Sequence, residues 1–231
     1  MRKACVLLIT FLLVSPLWHA QAQVVDILWQ GDTYTPPFYK GRSLWSNQSR
    51  INLVAIPQGL GNPANLNYKW TKNGSVLGNA SGLGRNVLSF SDNILSKPQI
   101  IKVDIISGED TILASTSVTV APVSPMLAVY ENNPLYGFMF HRETSGGIHK
   151  IQGGEITFAA FPLFFDTLNR AENTVGYEWR TNVGDRETQN SVTYRVPENT
   201  TGSSEVQVRA SSKDKITQNA SGSFLVQFGN Q

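Results

Sequence analysis

The triplet Tyr68-Lys69-Trp70 returns later in the chain as Tyr177-Glu178-Trp179, and around each copy the same apolar runs and turn residues occur in the same order. Ile156-Thr157-Phe158-Ala159-Ala160-Phe161-Pro162 matches Ile51-Asn52-Leu53-Val54-Ala55-Ile56-Pro57 at an offset of 105 residues, and Trp179 follows Trp70 by 109. Val192-Thr193-Tyr194 answers Val87-Leu88-Ser89, and Val208 answers Val103, each at 105. Four landmarks in one order predict two tandem copies of one fold. The 231 residues divide into copies of about 100 each, a size that buries a core of its own.

The runs are short and alternate. In Leu66-Asn67-Tyr68-Lys69-Trp70-Thr71, one face carries Leu66, Tyr68 and Trp70 while the intervening polar residues face solvent, as a half-buried strand requires. Asn73-Gly74 is a hairpin-turn signal. Pro57 and Pro162 end their strands, and Gly and Pro punctuate the chain throughout, so the expected class is all-β. Ala121-Pro122-Val123-Ser124-Pro125 reads as a short, stiff connection. The predicted layout is a first domain at 23–121, a linker at 122–125 and a second domain at 126–231.

Residues 1–22 read as a secretory signal: Met1-Arg2-Lys3, a short apolar stretch, then Ala20-Gln21-Ala22, with cleavage expected before Gln23. An uncleaved anchor ranks second, because the apolar stretch falls short of the roughly 20 residues that span a bilayer. Cleavage removes Arg2 and Lys3, leaving 17 basic residues (19 − 2) against 17 acidic. A neutral chain without a basic run is a poor nucleic-acid binder. Cys5, the single cysteine, lies in the same leader, so the exported chain has no disulfide and no thiolate metal site. That absence in an exported double sandwich favours a bacterial origin, with the chain periplasmic, on the cell surface or extracellular, and no membrane span after cleavage.

A run of about seven short strands with a tryptophan on the third resembles the immunoglobulin-like superfold. Tyr68-x-Trp70 with Lys72-Asn73-Gly74, and Tyr177-x-Trp179, resemble the third-strand region of bacterial Ig-like and PKD-type domains, although the Gly-Asp-Gly turn usual in PKD domains is absent. The layout is also similar to small secreted proteins of candidate-phylum (Parcubacteria-type) bacteria, some of which accompany pilus genes. The resemblance implies two tandem immunoglobulin-like β-sandwich domains after a signal peptide, and a role in adhesion, surface assembly or spacing. Fold of this kind does not itself fix function.

No G-x-S-x-G, P-loop or EF-hand pattern occurs, and no pair of carboxylates stands out, so neither catalysis nor a cofactor is expected and a hydrolase is the least favoured reading. His141 and His149 flank a Gly-Gly loop without zinc spacing, so no metal site is expected. Trp70 and Trp179 read as core. Tyr34, Phe38, Tyr39 and Trp45 place aromatics beside prolines; they suit recognition of a sugar or peptide, or cover one end of a sandwich. Leu163, Phe164 and Phe165 follow Pro162 where the first copy has Gln58 and Gly59. They form either an exposed apolar patch that needs a partner or a contact with the linker and first domain. These seven residues are the candidate interaction surface. The expected function is contact with surface or filament proteins, as an adhesion or pilus accessory component; the alternative is a carbohydrate-binding accessory module.

Overall fold

In the computed structural model the described residues are 22–151, 154–184, 186–196 and 199–229, so all of the predicted leader (1–22) but Ala22 lies outside them. Eight strands form the first half: β1 (Val24–Gly31), β2 (Arg50–Gln58), β3 (Asn67–Lys72), β4 (Ser75–Val76), β5 (Gly82–Leu83), β6 (Val87–Ser91), β7 (Gln99–Ile106) and β8 (Ile112–Val120). They make two sheets, one ordered β1-β2-β6 and one ordered β4-β3-β7-β8. In the second half are β9 (Met126–Asn133), β10 (Gly137–Glu143), β11 (Ile148–Lys150), β12 (Glu155–Leu163), β13 (Val175–Thr181), β14 (Arg186–Glu187), β15 (Ser191–Arg195), β16 (Gly202–Ser212) and β17 (Asn219–Phe228). Its sheets are ordered β10-β9-β12-β15 and β11-β17-β16-β13-β14. The chain is all-β and immunoglobulin-like: β1, β2 and β6 face a sheet built on β3, β7 and β8, and β9, β12 and β15 face one built on β13, β16 and β17.

Alternation fills each sandwich. Ile51, Leu53 and Ala55 of β2 face Trp70, Val103 and Ile105 in one core, and Phe158 and Ala160 of β12 face Trp179, Val206 and Val208 in the other. The repeated Tyr-x-Trp pair does the same work twice. The Trp70 indole N–H donates to Arg85 O at 2.9 Å, just ahead of β6, and that of Trp179 to Gln189 O at 2.7 Å, just ahead of β15. The hydroxyls of Tyr68 and Tyr177 donate to Pro63 O and Arg170 O. Each buried ring thereby satisfies its polar atom while pinning a loop.

One register differs from the sequence reading. Leu53 lies opposite Leu88 and Phe158 opposite Val192, so Val192 corresponds to Leu88 rather than to Val87. A side-chain period of two makes the distinction decisive, because a one-residue slip sends the apolar set to the other face. The Asn73-Gly74 turn is as expected: both residues have positive φ (49° and 83°) and join Lys72 to Ser75. After the turn at 107–111, Ile112–Val120 forms the single strand β8.

Each half also carries an excursion between its first two long strands, whose returning limb runs parallel to the last strand or its extension. In the second half β11 pairs in parallel with β17; in the first, Ser46 pairs in parallel with Val123, beyond β8. The predicted linker is thereby fastened to the first half, with Val123 N–H donating to Trp45 O at 2.8 Å.

Candidate functional site: the joint between the halves

The first excursion leaves β1 at Gly31, where a Cβ would lie 2.5 Å from Leu44 O, so only glycine lets the outgoing and returning strands pass. Its neck is tied by Gly31 N–H to Ser43 O at 2.8 Å and by the Thr33 hydroxyl to Leu44 O at 2.7 Å. Beyond the neck, the chain crosses to the other half. Tyr34 N–H donates to Phe165 O and Tyr34 O accepts from Phe164 N–H, both at 2.8 Å, a two-bond ladder between the halves.

Prolines 36 and 37, which cannot extend a ladder, aim Phe38 at the outer face of the β10-β9-β12-β15 sheet. There it meets Tyr130 edge-on at 4.8 Å, Phe161 edge-on at 5.6 Å and Phe140 at 4.7 Å. Tyr130, Ala159 and Phe161 are buried under it, with Phe138 and Phe140 at the side, forming a third apolar cluster. Arg170 lies 4.8 Å above Phe161 and 4.9 Å from Phe138, and donates to Ala160 O, Asn190 O and the Ser191 hydroxyl. Burial lowers its pKa, but a guanidinium so far above neutrality stays charged.

On the way back, Trp45 enters the core of the first half, its ring edge-on to Phe90 at 5.9 Å and its indole N–H donating to Ser49 O at 3.2 Å. The turn after it is held by the Ser49 hydroxyl donating to Ser46 O at 2.8 Å. This turn meets the β16–β17 turn: the Gln218 amide donates to Ser46 Oγ at 3.2 Å and to Asn47 O at 3.0 Å, and its Oε1 accepts from Asp166 N–H at 2.8 Å. Gln48 Oε1 accepts from both Thr217 N–H and its hydroxyl.

The seven candidate residues therefore do not form a free surface. Trp45 is fully buried in the first half, Phe165 in the second, and Leu163 and Phe164 are also buried. Tyr34, Phe38 and Tyr39 are half-buried at the joint, with Tyr39 edge-on to Phe164 at 5.4 Å. Of the two readings of Leu163, Phe164 and Phe165, the structure has the contact with the first half. Phe164 takes a left-handed φ of 62° there, a conformation uncommon in residues other than glycine. Gln218 and Arg170 were not singled out from the sequence. A polar residue between two strand patterns carries no mark of burial until the partner half is in place.

The two histidines do not face one another. His141 is exposed, whereas His149 is buried, 3.3 Å from Glu131 and edge-on to Phe158 at 5.3 Å. Burial lowers its pKa; the Glu131 carboxylate opposes this and Arg142 adds to it. No cluster of metal-ligating side chains occurs among the described residues, and no helix among them is long and apolar enough to cross a membrane.

No protein-family profile and no curated protein sequence matches the chain. Among solved structures it is similar to the fibronectin(III)-like modules of Clostridium thermocellum CbhA, at 12% identity over 88% of this chain and 92% of that one, with a TM-score of 0.29. It is also similar to the mouse nectin-like molecule 4 ectodomain (Ig1–Ig3), at 8% identity over 92% of this chain and 66% of that one, TM-score 0.31. For Sidekick-1 immunoglobulin domains 1–4 the values are 11% identity, 92% of this chain, 50% of that one and 0.31. The strand orders given above are what assign the immunoglobulin-like class.

Proposed function

We propose that the chain is an exported, non-enzymatic immunoglobulin-like protein that acts through protein contacts, as a surface or pilus-associated accessory or adhesion component. In this reading residues 1–22 direct export, and 23–121 and 126–231 are two domains joined at 122–125. The supporting observation is the joint itself. Tyr34, Phe38 and Gln218 occupy contacts that hold two sandwiches against each other, and a pair held in this way presents its remaining sheet faces and edge strands as one continuous surface. Sugar binding on an aromatic platform is disfavoured, because Trp45 lies inside a core and Phe38 lies between the halves.

The test is in-cell crosslinking of the native host, followed by separation of sheared filaments, envelope and medium, with this chain tracked by mass spectrometry. The expected result is co-enrichment with filament or envelope proteins and crosslinks from the outer sheet faces. Recovery as free protein without any protein crosslink would remove the proposal.

A further inference from the structure

The halves differ in what covers the outer face of their first sheet. Ile27 lies opposite Ala55 in the first half and Val129 opposite Ala160 in the second, which equates Leu28, Val54 and Ile56 with Tyr130, Ala159 and Phe161. The second set is 6%, 0% and 2% exposed; the first is 60%, 36% and 37% exposed. Leu28 stands opposite Val54, and Val54 opposite the exposed Val87, so an uncovered apolar row crosses all three strands. Polar outer faces are the rule for a solvated antiparallel sheet, and this row departs from it.

The backbone seat is repeated as well. Phe164, two residues after Pro162, has a φ of 62°; Gly59, two residues after Pro57, has a φ of 72°. In the second half the Phe164 amide and Phe165 carbonyl hold Tyr34. Among the described residues nothing pairs with the corresponding Gly59 amide and Leu60 carbonyl. The first half therefore has the same seat as the second, unfilled.

The element that fills such a seat is repeated too. In the first half it is the excursion leaving the end of β1. Leaving the end of β9 is the turn Asn133-Pro134-Leu135-Tyr136-Gly137, fixed by Asn133 Oδ1 accepting from Leu135 N–H at 3.0 Å and Tyr136 N–H at 3.3 Å. Leu135 and Tyr136 are 85% and 77% exposed. Within the chain, the exit end of β1 meets the entry end of β9, since Tyr34 binds beside Leu163, which lies opposite Met126. The exposed turn is at the exit end of β9, and the uncovered face reaches the entry end of β1. Contact between copies would continue the direction of the internal joint.

We propose that copies of this chain associate head to tail, with Pro134-Leu135-Tyr136 of one seated on the Leu28–Val54–Ile56 face of the next. The two surfaces differ, so the contact is heterologous and adds copies head to tail rather than pairing one patch with itself. This inference stands whether or not the exported chain also contacts other surface proteins.

The test is sedimentation velocity of the purified chain across a concentration series, with a face variant (Leu28→Asp) and a turn variant (Leu135→Asp with Tyr136→Ser). All three positions are exposed, and circular dichroism melts check that each variant is folded. The expected result is a concentration-dependent ladder for the unaltered chain and, for each variant, an association constant lower by on the order of tenfold or more. Mixing the two variants restores one intact contact, so a 1:1 pair forms and grows no further. A chain that stays monomeric at every concentration would overturn the proposal. So would a dimer that survives the turn variant, because two copies would then be meeting face to face, and so would a ladder unaffected by either variant.

Discussion

Gln218 and Ser46 lie 172 positions apart and meet side chain to side chain at 3.2 Å, in a site where Gln218 is 1% exposed. Its side chain makes three hydrogen bonds, to Ser46, Asn47 and Asp166. It thereby ties the last hairpin of the second half to the turn that follows Trp45 in the first. Replacing it with leucine keeps the volume and strands its partners without water, at a cost of about 1–3 kcal/mol. Gln218→Leu should lower the melting temperature and broaden the small-angle scattering profile as the halves loosen. An unchanged profile would show that the apolar part of the joint suffices.

Phe38 is the apolar counterpart of that polar tie. Phe38→Ala uncovers Tyr130 and Phe161, and for a half-buried ring the loss is roughly 1–2 kcal/mol. The halves keep their own cores, so the expected calorimetric result is a change from one cooperative transition to two. Persistence of a single transition at an unchanged temperature would mean that Phe38 does not couple them.

The two tryptophans offer a comparison within one molecule. Trp70→Phe leaves Arg85 O without its donor, and Trp179→Phe does the same to Gln189 O. Each should cost about 1–3 kcal/mol. The damage should stay local, with hydrogen exchange accelerating in β6 for the first and in β15 for the second. Equal acceleration in both halves from either substitution would contradict two separate cores.

His149 sets a pH dependence. Burial places its folded pKa below the ordinary value of 6.5, with Glu131 resisting and Arg142 reinforcing the shift. The unfolded chain therefore takes up a proton first as pH falls. Stability is unaffected by this group well above pH 6.5, declines as pH drops below it, and the penalty is complete once pH passes the folded pKa. Denaturant titrations across this range should show that decline, and His149→Gln should flatten it. A slope unchanged by the substitution would assign the effect elsewhere.

The repeat was legible because alternation is a local property. Tyr68-x-Trp70 and Tyr177-x-Trp179 each state, within three residues, which side chains enter a core, and the Pro57 and Pro162 strand ends mark where pairing stops. Register was legible only to within a residue, since the connection from β3 to β6 (73–86) is longer than that from β13 to β15 (182–190) and nothing local records where the difference falls. The roles of Leu163, Phe164 and Phe165 were not legible at all. Three apolar residues after a proline have the same pattern whether they face solvent or another half.

Two all-β copies, their alternating core positions and their turn signals follow from neighbouring residues, where periodicity and φ restrictions act. That Tyr34, Phe38 and Phe164 form a joint, that Trp45 belongs to a core and that Gln218 is buried follow from how the halves pack. Those outcomes depend on which surfaces meet across more than a hundred residues of chain, and burial there is a property of the pair of surfaces rather than of either stretch alone.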